Sequence, residues 1–152
     1  MNSFLIREAS VSDLDTIADF QLRMAQETEN LQLVEEIVRK GVSEIFRNPL
    51  RGYYLVAEKN GEPAGVMLVL SEWSDWRNGE ILWIHSLYVL PQYRKQGVFK
   101  ILYHHLGEKV NGSDNYKGIR LYVEKNNVIA QKTYHAVGMS DQHYDLFEWM
   151  KS

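Results

Sequence analysis

The chain has 152 residues, a formal net charge of −3, 45% hydrophobic residues and no Cys, which suits one domain, 1–152, with a core that needs no staples. Without Cys there can be no disulfide, thiolate metal site or Cys nucleophile, and the slightly acidic balance gives no support to bulk nucleic-acid binding. No apolar run approaches the roughly 20 residues of a bilayer span, and residues 1–7 lack the pattern of a secretory leader, so the expectation is a cytoplasmic protein with no membrane partner.

Residues 4–7 read as a short strand. Ser12 is a good N-cap, with Asp13 and Asp15 suiting the positive end of a helix whose face carries Leu14, Ile17, Ala18 and Leu22. Val34, Ile37, Val38, Val42 and Ile45 keep helical spacing, and Asn48-Pro49 stops that second helix. Residues 53–58 and 64–70 are rich in strand formers around Asn60-Gly61, which predicts a hairpin. Residues 73–79 read as a loop and 81–90 as a long apolar strand. A turn over 91–96 leads to a helix with Val98, Ile101, Leu102 and Leu106 on one face. A strand over 119–123, a short helix over 128–137 ending at Gly138, and a last strand over 143–150 complete the chain. The order β-α-α-β-β-β-α-β-α-β describes an α/β fold, a mixed sheet covered by helices.

The segment Arg94, Lys95, Gln96, Gly97, Val98, Phe99 and Lys100 lies between a strand and a helix. Cations at a helix N-terminus oppose the helix dipole unless something negative binds nearby. The free N–H groups of a first helical turn are themselves an anion site, and Gly97 would let a ligand approach the backbone. A phosphate or pyrophosphate cradle explains these residues; so does a solvated basic turn. No Gly-Lys-Ser/Thr ends the segment, so it is not a Walker loop.

Residues 87–97, Leu-Tyr-Val-Leu-Pro-Gln-Tyr-Arg-Lys-Gln-Gly, resemble the signature segment of the GCN5-related N-acetyltransferases (GNAT). In that family a strand leads through Pro and an Arg/Gln-x-x-Gly-x-Gly/Ala turn into a helix. Arg94 and Gly97 match; Phe99 stands where the family prefers Gly or Ala. Asn127, Val128, Ile129 and Ala130, then Tyr134, then Gly138 and Met139 resemble a second family pattern, Asn-x-x-Ala-x-x-x-Tyr-x-x-x-Gly-Phe. The resemblance covers nearly the whole chain. It implies a GNAT-like fold and acetyl-CoA as co-substrate, its pyrophosphate on the turn's amides. It also implies that the strand at Leu87, Tyr88 and Val89 splays from its neighbour to hold the thioester and pantetheine arm, with a backbone N–H polarising the carbonyl. The acceptor amine then attacks directly in a ternary complex, so no protein nucleophile is needed.

Tyr134, by its motif position, is the candidate general acid for the leaving thiolate, since a phenol is protonated at neutral pH; an ordinary half-buried helical Tyr is the bland alternative. Asn127 would bind the pantetheine arm, cap its helix, or both. For the general base the strand before the turn offers His85, which titrates near neutrality, and Glu80; each also reads as a plain sheet residue. The resemblance places acceptor recognition around the first helices and the loop before the signature strand, where Glu27, Glu29 and Trp76 would suit a cationic amine. The same residues also read as a solvated face with packing aromatics. His104 and His105 are adjacent on a helix and cannot share a face, and no metal is expected. The resemblance implies a small-molecule or peptide amine as acceptor. Oligomeric state is open, a homodimer included. The rival reading is a non-catalytic acyl-CoA-binding regulator on the same fold.

Overall fold

The structure, a computed structural model, describes residues 3–152; Met1 and Asn2, part of the stretch read for a leader, lie outside it. The chain divides into two compact units, Met1–Arg120 and Leu121–Ser152.

The first unit is built on a five-stranded sheet in the order β1-β2-β3-β4-β5. Its strands are β1 (Leu5–Glu8), β2 (Gly52–Lys59), β3 (Glu62–Ser74), β4 (Gly79–Val89) and β5 (Tyr116–Arg120). Neighbours from β1 to β4 run antiparallel, and β5 pairs parallel with β4. Three helices accompany them: α1 (Leu14–Glu29), α2 (Glu35–Arg47) and α3 (Val98–Asn111). The expected hairpin is β2–β3, closed by Asn60 and Gly61 at φ of 53° and 79°, the positive pair that matches the twist of antiparallel strands.

Both faces of the sheet are covered, which is why β2 and β3 carry nearly continuous apolar runs. One core joins Ile17, Ala18, Phe20 and Val42 of α1 and α2 to Tyr54, Val56, Val66, Leu68 and Tyr88. Strand alternation turns Leu55 and Met67 the other way, the face served by Val98, Leu102 and Leu106 of α3, all buried. Truncating Leu102 or Leu106 to Ala would cost about 2–5 kcal/mol.

Several expectations differ from the structure. Ser12 is not the cap. The chain enters α1 through a 3-10 turn at Val11–Asp13, and the Ser10 N–H donates to Asp13 Oδ2 at 2.8 Å. Ser10 is the N-cap residue of that turn, and Asp13, oriented by Arg7, supplies the carboxylate that accepts from it, while no side chain bonds the first amides of α1 itself. Ile37 and Val34 are exposed, at 68% and 60%. The seated face of α2 is Val38, Val42, Ile45 and Phe46, and Val34 precedes the first helical turn. Trp73 and Ser74 belong to β3, paired with Glu80 and Gly79; backbone pairing carries the hairpin past its apolar stretch into residues the solvent sees on both faces. The strand expected at 119–123 is β5, three residues earlier.

The second unit holds α4 (Val128–Ala136). Asn127 caps it, its Oδ1 accepting from the Ala130 N–H at 3.1 Å. Gly138, at φ 93°, ends it: the Gly138 N–H bonds to the His135 carbonyl and the Met139 N–H to the Tyr134 carbonyl, the paired bonds of a left-handed C-terminal cap. No strand is assigned over 143–150 among the described residues. The strand formers there, Tyr144, Phe147 and Trp149, express a propensity that becomes a strand only with a partner edge. Among the described residues no helix is long and apolar enough to cross a membrane.

Candidate functional site

β4 ends at Val89, a 3-10 turn follows at Pro91–Tyr93, and α3 begins at Val98. Between them Lys95 and Gly97 take left-handed backbone, at φ 62° and 79°. That conformation costs a lysine about 1–2 kcal/mol and glycine almost nothing. Successive N–H groups around such residues form anion-binding concavities. A Cβ on Gly97 would meet nothing within 4 Å, so the space over the turn is open. No side chain caps α3 and no acidic residue lies in its first turn. Its first N–H groups have no intrahelical partner. Lys95 and Lys100 flank them, and among the described residues neither forms an ion pair, whereas Arg94 does. Bare amides, two uncompensated cations and open space fit a pyrophosphate.

The other members of the turn pack. Val98 is buried, and Phe99 stacks on Tyr103 with ring centroids 5.8 Å apart. Gln96 donates from Nε2 to the Gln92 carbonyl at 3.0 Å, and its Oε1 lies 3.5 Å from Lys59 Nζ.

β4 supplies a second feature. Its pairing with β5 is confined to positions between Glu80 and Trp83. From 84 to 89, where Leu87, Tyr88 and Val89 lie, its β5-facing edge has no partner in β5, while its other edge stays paired with β3. Such an edge offers N–H and C=O groups to an extended ligand. A bulge lies at its start: Leu68 pairs with Ser86 and Val69 with Ile84, so His85 is the extra residue. Bulges re-aim side chains, and His85 is exposed there.

Arg94 does not project into the turn's open space alone. Its Nε donates to the Val89 carbonyl at 2.9 Å and its Nη2 to Glu27 Oε2 at 2.7 Å. Glu27 Oε1 accepts from the Tyr88 hydroxyl at 3.0 Å. The Arg94 guanidinium lies 5.4 Å from the Tyr88 ring centre. Arg94 holds the Glu27 carboxyl below the usual carboxylate range, and the Tyr88 hydrogen bond acts the same way. Burial pushes the Tyr88 phenol up, and the facing carboxylate adds to the shift.

The remaining sequence candidates are spread along β4. Glu80, at its start, accepts from Asn115 Nδ2 at 2.7 Å. It stands five residues before His85, about 16 Å at the rise of an extended strand. Trp76 is 87% exposed in the turn that precedes β4, at the opposite end of the strand from Arg94. Glu29 is the exposed last residue of α1. The structure therefore brings Glu27, Tyr88 and Arg94 together and separates Trp76 and Glu80 from them. Tyr134 is half-buried on α4, where burial raises its phenol pKa.

Sequence reasoning missed Gln21, whose Nε2 lies 3.5 Å from Ser86 Oγ beside the bulge, and Lys59 beside Gln96. No local signal marks either, because each meets the site only through sheet packing. A concavity of about 510 Å³ between α1 and α2, lined by Leu14, Glu35, Glu36, Arg39, Lys40 and Ser43, contains none of the candidate residues.

Residues 14–139 match the acetyltransferase (GNAT) family. A possible acetyltransferase from Clostridium difficile 630 is 38% identical, with a TM-score of 0.92, over 98% of this chain and 98% of its own. The aminoglycoside N-acetyltransferase AAC(6')-Iy, solved with a CoA-containing bisubstrate analogue, shares the fold at 15% identity and a TM-score of 0.80, with 99% of each chain covered. So does a ribosomal-protein-alanine N-acetyltransferase from Brucella melitensis biovar Abortus 2308, at 13% identity and a TM-score of 0.80 over 98% of this chain and 100% of its own. No curated protein matches the chain. With the bare α3 N-terminus and the open edge of β4 already in place, the match over 14–139 means that this chain belongs to the GNAT acetyltransferase family.

Proposed function

We propose that residues 1–152 act as one catalytic domain, an acetyl-CoA-dependent N-acetyltransferase whose acceptor is a small-molecule or peptide amine. The observation that carries this reading is the turn at 94–100: an uncapped helix N-terminus with no first-turn carboxylate, two lysines that form no ion pair among the described residues, and open space above Gly97. The main-chain N–H groups of 95–100 would hold the pyrophosphate, with Lys95 and Lys100 as counter-charges. The open edge of β4 at Leu87, Tyr88 and Val89 would pair with the pantetheine arm and present an N–H to the thioester carbonyl. Acetyl-CoA supplies the activated acetyl group, so this chain need supply only placement and proton transfers.

His85 is favoured as the base, because the bulge exposes it in the part of β4 beyond its pairing with β5, whereas Glu80 lies at the strand's start in a hydrogen bond with Asn115. Neutral His85 would take a proton from the ammonium acceptor, directly or through water. Tyr134 is assigned as the acid on its motif position, and burial, by raising its pKa, keeps its phenol protonated at neutral pH. Asn127 caps α4 and, by the same motif, would also contact the pantetheine arm. The aminoglycoside N-acetyltransferase and the ribosomal-protein-alanine N-acetyltransferase of the same fold support leaving both acceptor classes open.

A regulator that binds acyl-CoA without turnover has one observation in its favour, Phe99 stacked on Tyr103 where the family prefers Gly or Ala. Thermal unfolding with acetyl-CoA, free CoA and ATP tests the cofactor assignment. A rise in Tm with both CoA ligands and not with ATP is expected; a response to ATP alone would overturn it.

A further inference from the structure

The Glu27 carboxylate was expected to face an acceptor amine, yet both its oxygens are taken by the protein. Oε1 accepts from the Tyr88 hydroxyl and Oε2 from Arg94 Nη2. Tyr88 is itself fixed, its ring 5.2 Å from that of Phe20 on α1. Arg94 also reaches back to the Val89 carbonyl. One carboxylate on α1 thus ties down the last residues of β4 and the first residue of the turn.

A half-exposed ion pair adds little to global stability; Arg94 and Glu27 are 45% and 39% exposed. Its position gives it another use. The next residues, Lys95 to Gly97, contain both left-handed positions, and the direction of the amides they carry depends on where Arg94 is anchored.

We infer that Glu27 is a positioning residue for the cofactor turn: through Arg94 it fixes the backbone of 95–100 against the end of β4, so that Arg94 acts as a strut and the pyrophosphate contacts fall to the amides, Lys95 and Lys100. The ligand half of this inference rests on the acetyl-CoA reading; the strut itself does not.

Two measurements on the full chain test it. Amide hydrogen exchange without ligand compares wild type with Glu27→Gln, which keeps the shape and removes the charge. Faster exchange over 94–100, with Tm held within a few degrees, is expected; unchanged exchange there overturns the strut. Calorimetric titration with acetyl-CoA then compares wild type, Glu27→Gln, Arg94→Gln and the double variant. Each single variant should bind about fivefold or more weakly, and the double variant no more weakly than the worse single, because the two act through one contact. Tighter binding by Glu27→Gln would show that the carboxylate competes with the bound anion for Arg94, and would overturn the inference. So would an effect confined to the acceptor KM. A wild-type chain that binds no acetyl-CoA overturns the cofactor reading, and the exchange result then decides the strut alone.

Discussion

Two arginines in this molecule meet acidic partners in two different settings. Arg7 on β1 donates to Asp13 through Nη1 and Nη2, each at 2.8 Å, and through Nε to Glu58 at 2.5 Å. Its partners' side chains are 10% and 16% exposed. Arg94 makes one charged contact, with a carboxylate 39% exposed, and rests on an aromatic ring. The first cluster joins β1, β2 and the entry to α1, and there the low local dielectric makes every lost partner expensive. The second joins α1 to a turn that stays open to solvent, where the same ions contribute little energy but set a direction. Burial decides whether an arginine cluster fastens the fold or aims part of it.

Variants separate these roles. Tyr134→Phe sets the scale for chemistry: kcat should fall by about 10²–10⁴, more than acetyl-CoA affinity changes, as read by steady-state kinetics and calorimetry. Gly97→Asp puts a negative charge into the open space over the turn. It should weaken acetyl-CoA binding by about a hundredfold or more while the chain stays folded. Asp13→Asn attacks the fastening cluster. Denaturant unfolding should show a loss of about 2 kcal/mol, with the acetyl-CoA Kd of the folded protein unchanged. If Asp13→Asn shifted the Kd and Glu27→Gln shifted only Tm, the two clusters would have been assigned the wrong way round.

Acid separates them with a smaller effect. Both carboxyls are held below their ordinary values, Asp13 chiefly by the Arg7 hydrogen bonds and Glu27 chiefly by that of Arg94. A depressed carboxyl contributes fully above its ordinary value and loses its contribution as pH falls through the depressed one. Stability should therefore drop as Asp13 protonates, below its ordinary 3.8. Acetyl-CoA affinity should drop as Glu27 protonates, below its ordinary 4.5. The groups facing Glu27 are Tyr88 on β4, Arg94 in the turn and Arg23 on α1. Glu27→Gln should be weak throughout and lose the acid limb, measured by titration between pH 3.5 and 7.

Much of the fold was legible because it is written in local periods. Val98, Leu102 and Leu106 keep the helical spacing that buries them, and Asn60-Gly61 names its own turn. Asn127 and Gly138 cap α4 as their side chains and backbone dictate. The turn at 94–100 was legible through its charges and its glycine. What failed to show was decided by distant partners. Glu27 and Arg94 are 67 residues apart, and nothing near either marks the pairing. The bulge that exposes His85 arises from a count of residues between paired strands, which an apolar run over 81–90 does not reveal. Ser12 looked like the cap because its type fits; the cap falls on Ser10 because Asp13, its carboxylate held by Arg7 six residues back, accepts from the Ser10 N–H.

Thiol release tests acetyl transfer to an amine most directly. Wild-type protein is mixed with acetyl-CoA and a thiol reagent, with and without a panel holding an aminoglycoside, a polyamine, an amino acid amide and a peptide with a free N-terminus. Release that saturates in acetyl-CoA and depends on at least one amine is the expected result. Saturable acetyl-CoA binding with no amine-dependent release from any of them would contradict it.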